Sequence, residues 1–366
     1  MQIVSDYDYN QNTNMPNFFT GVGHYIPTQT ISNLFFNEHT FLNEQGETLT
    51  QDNATIAAKL KQITGVEERR YAREDQVTSD LGYMAAAAAI SDAGIDPETL
   101  DYIIFAHNFG DVKFNTIQSD TVPSLASRVK HLLQIKNPYC VAYDILFGCP
   151  GWVEAVIQAN TFINAGVAKR CLVIGAETLS RVVDPHDRDT MIYADGAGAV
   201  VIEKSNDEKG IKAHLSASFA NEEKDYLFFG KSYNNSNCPN TKYIKMFGRK
   251  IYEFALTQVP QAMKKCLDDS PYEIQDISKI IIHQANEKMD EAIVNRFYRQ
   301  FKMPVPENIM PMVIQKLGNS SVATVPILLK MILNGEVENH EINDGDVVIF
   351  ASVGAGMNIN TFIYQF

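Results

Sequence analysis

The chain has 366 residues, 45% of them apolar, and its 31 basic against 44 acidic side chains leave a net charge of -13 at pH 7. So apolar a composition excludes a disordered chain, and the acidic balance argues against a duplex-DNA or anionic-lipid surface, which clustered Lys and Arg hold by releasing counterions. Five cysteines with no CxxC pair make neither a disulfide framework nor a zinc site.

Residues 1–17, MQIVSDYDYNQNTNMPN, are polar and Asn-rich and read as a flexible arm. They lack the basic flank and apolar core of a targeting signal, and no later window reaches the roughly 18 apolar residues of a membrane span. A soluble cytoplasmic protein whose partners are small molecules or proteins is expected. An amphipathic helix follows near Asn53–Ile63 with a turn at Gly65, then an Ala-rich helix around Val77–Ala93 that Gly94 caps. An apolar strand, Tyr102–Ala106, comes next. From there apolar runs alternate with helical stretches, the pattern of a mainly parallel sheet with helices on its faces.

A weak internal repeat organises the rest. YIIFAHN (Tyr102–Asn108) matches KIIIHQAN (Lys279–Asn286), so His107 aligns with His283. VAYDILFGCPGWVEAVIQANTFINAG, from Val141, resembles MPMVIQKLGNSSVATVPILLKMILNG, from Met310, which puts Cys149 near Asn319. RCLVIGAET (Arg170–Thr178) matches DVVIFASVGAG (Asp346–Gly356). Three blocks in one order at nearly one spacing predict two similar α/β halves, residues 18–204 and 205–366. Each half is expected to run from a strand through a tight turn and a buried helix to another strand. The polar stretch Asn221–Thr241 reads as a surface insertion.

Chemistry concentrates where the two halves correspond. Cys149, in ILFGCPG, follows an apolar strand and opens a helix, with Gly148 and Gly151 allowing a sharp turn. A thiol there faces the positive end of a helix dipole, which favours thiolate and makes a nucleophile available near neutral pH; the unpaired N–H groups can also hold an oxyanion. His283 ends an apolar run and belongs at the mouth of a buried strand. Asn319, in KLGNSS, opens the helix of the second copy, a common N-cap position. Duplication brings strand ends and helix starts of both halves to one place, so Cys149, His283 and Asn319 are expected to converge. His107 is assigned no chemistry, and Cys140, Cys171, Cys238 and Cys266 read as inert. The ADGAGA run, Ala194–Ala199, lacks the GxGxxG spacing of a nucleotide loop and reads as close backbone packing.

From about Phe18 onward the chain resembles the 3-oxoacyl-(acyl carrier protein) synthase III group of thiolase-fold condensing enzymes. GCPGWVEAVIQA is similar to its nucleophile segment, DPHDRDTMIYADGAGAVVIE to its central segment, HQAN to its histidine motif, GNSSVATVP to its asparagine motif and GAGMN to its C-terminal loop. The resemblance implies an α/β thiolase fold of duplicated halves in a five-layered αβαβα sandwich, a homodimer, and a catalytic set of Cys149, His283 and Asn319. It implies acylation of Cys149, an oxyanion hole from the backbone N–H groups of Cys149 and Ala355, and a decarboxylative condensation with a malonyl- or 3-oxoacyl-carrier thioester whose enolate oxygen meets His283 and Asn319. No metal or redox cofactor is implied; substrates arrive as acyl carrier protein or coenzyme A thioesters.

Lys59 and Ile63 replace the Trp and Arg with which relatives hold a nucleotide, which favours an acyl carrier protein as donor. Arg188 matches a family arginine at the channel entrance, and Lys288 stands where an Arg usually follows HQAN. Because a carrier is acidic like this chain, a local basic patch is expected to dock it, drawn from Lys245, Arg249, Lys250, Lys264, Lys265, Lys288, Arg296 and Arg299. The long segment Phe41–Ala72 resembles specialised relatives that join two acyl chains toward dialkylresorcinol or aryl-polyene lipids, beside relatives that start fatty acids. Two rivals remain at this point: a non-decarboxylating acyltransferase that passes the acyl group of Cys149 to an alcohol or amine, and a non-catalytic binding protein.

Overall fold

The computed structural model describes residues 16–205, 208–234 and 240–366. In chain order the first half runs β1 (Asn17–Tyr25), β2 (Gln29–Ser32), α1 (Asn53–Thr64), β3 (Glu68–Tyr71), α2 (Thr78–Ala93), β4 (Tyr102–His107), β5 (Asp111–Val112), β6 (Ser119–Asp120), α3 (Leu125–Leu132), β7 (Val141–Leu146), α4 (Gly151–Asn164), β8 (Arg170–Thr178) and β9 (Asp195–Lys204). The second runs β10 (Gly210–Ser218), β11 (Leu227–Lys231), β12 (Lys242–Met246), α5 (Gly248–Asp268), β13 (Ile277–Ile282), α6 (Glu287–Gln300), α7 (Ile314–Leu317), α8 (Thr324–Leu333), β14 (Val347–Gly354) and β15 (Asn358–Gln365).

Two sheets carry the fold, in the orders β1-β9-β8-β4-β7 and β10-β15-β14-β13. Helices α4 and α8 lie between them, where Trp152, Val156, Val325 and Leu328 meet Val173 and Val200 of one sheet and Phe350 and Phe362 of the other. Outside the first sheet α2 and α3 pack on Ile103, Phe105 and Ile174; outside the second, α5 and α6 pack on Ile280, Ile349 and Ile363. Five layers result, and α4 and α8 bury apolar residues toward both sheets because each is covered from both sides. The Phe350 and Phe362 rings stack at 4.4 Å beneath Trp152, the largest side chain in the middle layer.

Several sequence expectations change here. The sheets are mixed: β4 runs parallel to β7 and β8, and β13 to β14, but β8–β9, β1–β9, β14–β15 and β10–β15 are antiparallel. Strands buried on both faces read as continuous apolar runs whichever way they point, so the pattern carried no direction. The second copy of the long block does not begin on a strand. Residues 310–313 have no regular structure before the short α7, and the second sheet therefore lacks a counterpart of β7. Asn17, assigned to the arm, is the first residue of β1; buried, it donates through Nδ2 to Asn160 Oδ1 and Asn164 Oδ1, each at 2.8 Å. Residues 1–15 of that arm, and Cys238, lie outside the described residues. The expected insertion contains β11, which pairs with β12 and forms a wall of the site. The ADGAGA glycines are packing positions: a Cβ on Gly198 would lie 2.5 Å from Pro326 Cβ of α8.

Candidate active site

Cys149 sits in the turn between β7 and α4, one residue before the Pro150 cap of that helix. The turn is pressed edge to edge against the turn after β14. A Cβ on Gly148 would lie 2.5 Å from the Ala355 amide nitrogen, and a Cβ on Gly354 would lie 2.5 Å from the Cys149 amide nitrogen. Only glycine at both places lets the Cys149 and Ala355 amides approach this closely, the arrangement a two-donor oxyanion hole requires. Asn358 Nδ2 donates to Ala355 O at 2.8 Å and fixes the second turn.

The thiol departs from expectation. Part of the residue opens on the pocket, but burial pushes the Cys149 thiol up to about 11, against the downward pull of the Ser321 hydroxyl and its own N–H. The upper value for a charge at a helix N-terminus, about 2 kcal/mol, offsets only about 1.5 pH units at about 1.4 kcal/mol each. Burial therefore outweighs the helix end, and Cys149 is held toward the thiol form.

His283 follows β13 immediately, its N–H on Ala351 O at 2.9 Å, and it is buried at the strand mouth as expected. Its Nδ1 shares a 2.6 Å hydrogen bond with Thr324 Oγ1, the first residue of α8. With no charged partner beside it, burial pushes the imidazole down to about 3, so His283 is neutral across the working range.

Asn319 is not an N-cap of α8, which begins five residues later. Its backbone is laced to the first half instead: Asn319 N–H donates to Ile192 O and Ala194 N–H donates to Asn319 O, both at 2.8 Å. Its Oδ1 accepts the Ser321 N–H at 2.8 Å, which leaves its amide NH2 as a free-facing donor. Ser321 adopts φ 52°, a left-handed conformation that the sequence did not announce.

Cys149, His283 and Asn319 line one cavity of about 60 Å³, together with Asn108, Tyr193, Ser321 and Gly354 on its polar side. Leu179, Leu227, Ile244, Met246 and Met357 close its apolar end. Through Ile192, Ile251 and Met289 it adjoins an outer cleft of about 470 Å³, walled by Lys59, Ile63, Arg188, Arg249, Tyr252 and Asn286. Arg188 and Arg249 thus stand at the mouth, both exposed; Lys288 is exposed on the first turn of α6 and is not part of the cleft wall. Lys245, expected on a docking surface, is buried between Asp184 at 2.6 Å and Asp187 at 2.8 Å with the Tyr233 ring over its ammonium. A lone cation among surface-type sequence reads as exposed; the two carboxylates that bury it come from 58 and 61 residues away.

Residues missed in the sequence are Asn108, Ser321 and Thr324. All three fall inside the quoted repeat blocks, and Ser321 and Thr324 share the GNSSVATVP segment with Asn319, so the repeat marked their neighbourhood without marking their roles. His107 is 0% exposed, with Nε2 on Asp144 Oδ2 at 3.1 Å and Nδ1 accepting the Gly110 N–H at 2.9 Å.

Comparison with known proteins gives one answer. The profile of the family described as 3-Oxoacyl-[acyl-carrier-protein (ACP)] synthase III matches residues 143–218, and that of its C-terminal part matches residues 267–366. The Beta-ketoacyl-[acyl-carrier-protein] synthase III of Ruegeria pomeroyi is 32% identical over 343 residues, 92% of this chain and 95% of that protein. The protein of the same name from Staphylococcus haemolyticus is 30% identical over 346 residues, 94% of this chain and 97% of its own length. The crystal structure of 3-oxoacyl-[acyl-carrier-protein] synthase III from Aquifex aeolicus superposes with a TM-score of 0.78 at 28% identity, covering 96% of this chain and 100% of that one.

Proposed function

The chain belongs to the 3-oxoacyl-[acyl-carrier-protein] synthase III family of condensing enzymes, and from that premise we propose that it joins an acyl group carried on Cys149 to a malonyl-type carrier thioester with loss of carbon dioxide. The observation that supports this reading is the single cavity lined by Cys149, His283 and Asn319, each from a different segment of the chain.

The sulfur of Cys149 attacks the thioester carbonyl, the amides of Cys149 and Ala355 receive the developing oxyanion, and the departing thiol takes the proton of Cys149. The malonyl thioester then places its carbonyl oxygen between the Asn319 amide and His283 Nε2. Its C–C bond to the carboxylate breaks, carbon dioxide leaves, and the electron pair passes through the enolate to the acyl carbonyl, expelling the Cys149 sulfur. Neutral donors suit this step because the charge exists only near the transition state. The required tautomer has Nε2–H facing the cavity and the Thr324 hydroxyl donating to Nδ1. Thr324 Oγ1 donates to Ser321 O at 3.1 Å, so reaching that tautomer moves its single hydroxyl proton onto the 2.6 Å bond to His283 Nδ1. Atoms and electrons balance without a metal or redox group.

The inner cavity of about 60 Å³ has room for roughly four to six water-sized groups at about 10–15 Å³ each. That supports a short primer and the initiation of a chain over the joining of two long ones. An acyl carrier protein as donor and acceptor fits the cationic mouth of Lys59, Arg188 and Arg249. Pairing through β7, whose edge is open and whose Val141 and Leu146 are exposed, supports a homodimer. Among the described residues no helix is long and apolar enough to cross a membrane, and a cytoplasmic site of action is part of the same proposal.

The test is a short acyl thioester followed by a malonyl carrier thioester labelled in its free carboxyl. An acyl adduct on Cys149 by intact mass and release of labelled carbon dioxide are expected, both lost in Cys149→Ala. An adduct without carbon dioxide would mark transfer to an alcohol or amine instead, and no adduct would remove the enzymatic reading.

A further inference from the structure

Near Cys149 lies a buried carboxylate that the condensation does not use. Glu177, near the end of β8, is 1% exposed. Its Oε1 accepts the backbone N–H of Asn108 at 2.5 Å and also faces the Asn108 side-chain amide. An oxygen that already accepts one N–H sets the orientation of that amide: nitrogen, not oxygen, must turn toward it. The same NH2 group donates its second proton to Ser321 Oγ at 3.1 Å. The Ser321 hydroxyl keeps its own proton to donate, and it donates to Cys149 Sγ at 3.3 Å. From the carboxylate to the sulfur the bonds run in one sense.

We propose that Glu177 acts through Asn108 and Ser321 to aim a hydroxyl proton at the sulfur of Cys149, so that the nucleophile is tuned by a buried acid that never touches the substrate. Ser321 contacts the reacting sulfur; Asn108 and Glu177 are positioning residues. Two further observations support this. Ser321 is held in its left-handed conformation by the Asn319 side chain, a strained placement that puts the hydroxyl on the sulfur. Glu177 Oε2 is buried with no hydrogen-bond partner, a cost that a purely structural carboxylate would not carry. The ionisable groups facing this line are His107 and Asp195 beside Glu177, and Tyr193 and Glu177 beside Cys149; burial pushes the Glu177 carboxyl up to about 7.

The inference rests on Cys149 being the nucleophile proposed above, and its test is chosen to fail separately. Alkylation of Cys149 by iodoacetamide, followed by intact mass against pH, needs no acyl substrate. Ser321→Ala should slow alkylation at pH 7.5 about tenfold, the worth of one hydrogen bond to a charged group, and move its pH midpoint upward. Ser321→Gly, which removes the hydroxyl while relaxing the backbone, should do the same. Asn108→Ala, which breaks the line while keeping the Glu177 charge that itself raises the Cys149 thiol, should give a smaller shift in the same direction and none in the Ser321→Ala background. Unchanged alkylation in both Ser321 variants, or additive effects in the double variant, would overturn the proposal. Wild type that alkylates normally yet releases no carbon dioxide would sink the condensation reading and leave this one standing.

Discussion

His107 and His283 occupy the same place in two copies of one pattern, each at the end of a central strand, and they have opposite fates. Both ring nitrogens of His107 are used by the scaffold: Gly110 donates to one and Asp144 takes the other. Asp144 in turn accepts the N–H groups of Leu125 and Ala126 at the start of α3, so the ring ties two elements together. His283 has one nitrogen on Thr324 and the other facing a cavity. The difference originates one strand away. Asp144 belongs to β7, and the second half has no such strand: Val313 and Ile314 stand there without a carboxylate. The two histidines stand at matching strand ends, and the neighbouring carboxylate that engages His107, with none engaging His283 among the described residues, separates their roles.

Removing each ring in turn should separate the two roles most widely. His283→Ala is expected to cut carbon dioxide release about 10²–10³-fold, the usual loss for one oxyanion donor, while acylation of Cys149 and thermal stability stay near wild type. His107→Ala should instead cost about 3 kcal/mol of stability, because it strips a hydrogen bond from a largely buried carboxylate. Parallel losses of activity and stability in both variants would erase the distinction. Next in size is Gly354→Ala. Its Cβ would meet the Cys149 amide at 2.5 Å, so backbone must shift: acylation should fall by about 10²-fold and the midpoint temperature should drop with it. An active Gly354→Ala variant would mean that the two amides do not act as a pair.

Titration sharpens the contrast between the two buried groups left in the site. Glu177 ionises near 7 in the folded chain and near 4.5 in the unfolded one. The unfolded chain loses its proton first, and stability falls as pH rises from about 4.5 to about 7 by about 3 kcal/mol. His283 works from the other side: its folded value near 3 lies below 6.5, so the unfolded chain gains a proton first and stability falls as pH drops below 6.5. Glu177→Gln should therefore raise the melting temperature by a few degrees at pH 8 and by nothing at pH 4. An equal gain at both would show that the carboxyl charge is not the source.

Much of this was readable in the chain because Cys149, His283 and Asn319 each sit at a strand end or a tight turn, where local pattern and position coincide. The internal repeat then brought them together without any contact being known. What could not be read depends on distant partners or on backbone sign. Mixed strand direction is silent in runs such as Ile103–Phe105 that are buried on both faces. The raised thiol of Cys149 comes from the shell around it, which outweighs the helix end that the sequence did announce. The orientation of Ser321 depends on a positive φ held by its neighbour two residues back.

Two cations that the sequence treated alike provide the finest test. Arg249 is 91% exposed by side chain at the mouth of the cleft, and its pairing with Glu253 at 2.8 Å is an exposed, solvent-screened one that adds little. Lys245 is 3% exposed between two carboxylates. Arg249→Glu should leave stability alone and raise the KM of an acyl carrier thioester about fivefold, the size of a solvent-screened surface contact. The KM of a small thioester mimic should stay the same. Lys245→Met should do the reverse, costing about 3–5 kcal/mol because Asp184 and Asp187 lose their counter-charge, with no preference between carrier and mimic. Salt decides whether the Arg249 effect is electrostatic docking: near 1 M, where the screening length falls to about 3 Å, the difference between carrier and mimic should close. A gap that persists at high salt would mean that Arg249 shapes the cleft instead of attracting an acidic partner across a chain whose net charge, -13, otherwise repels it.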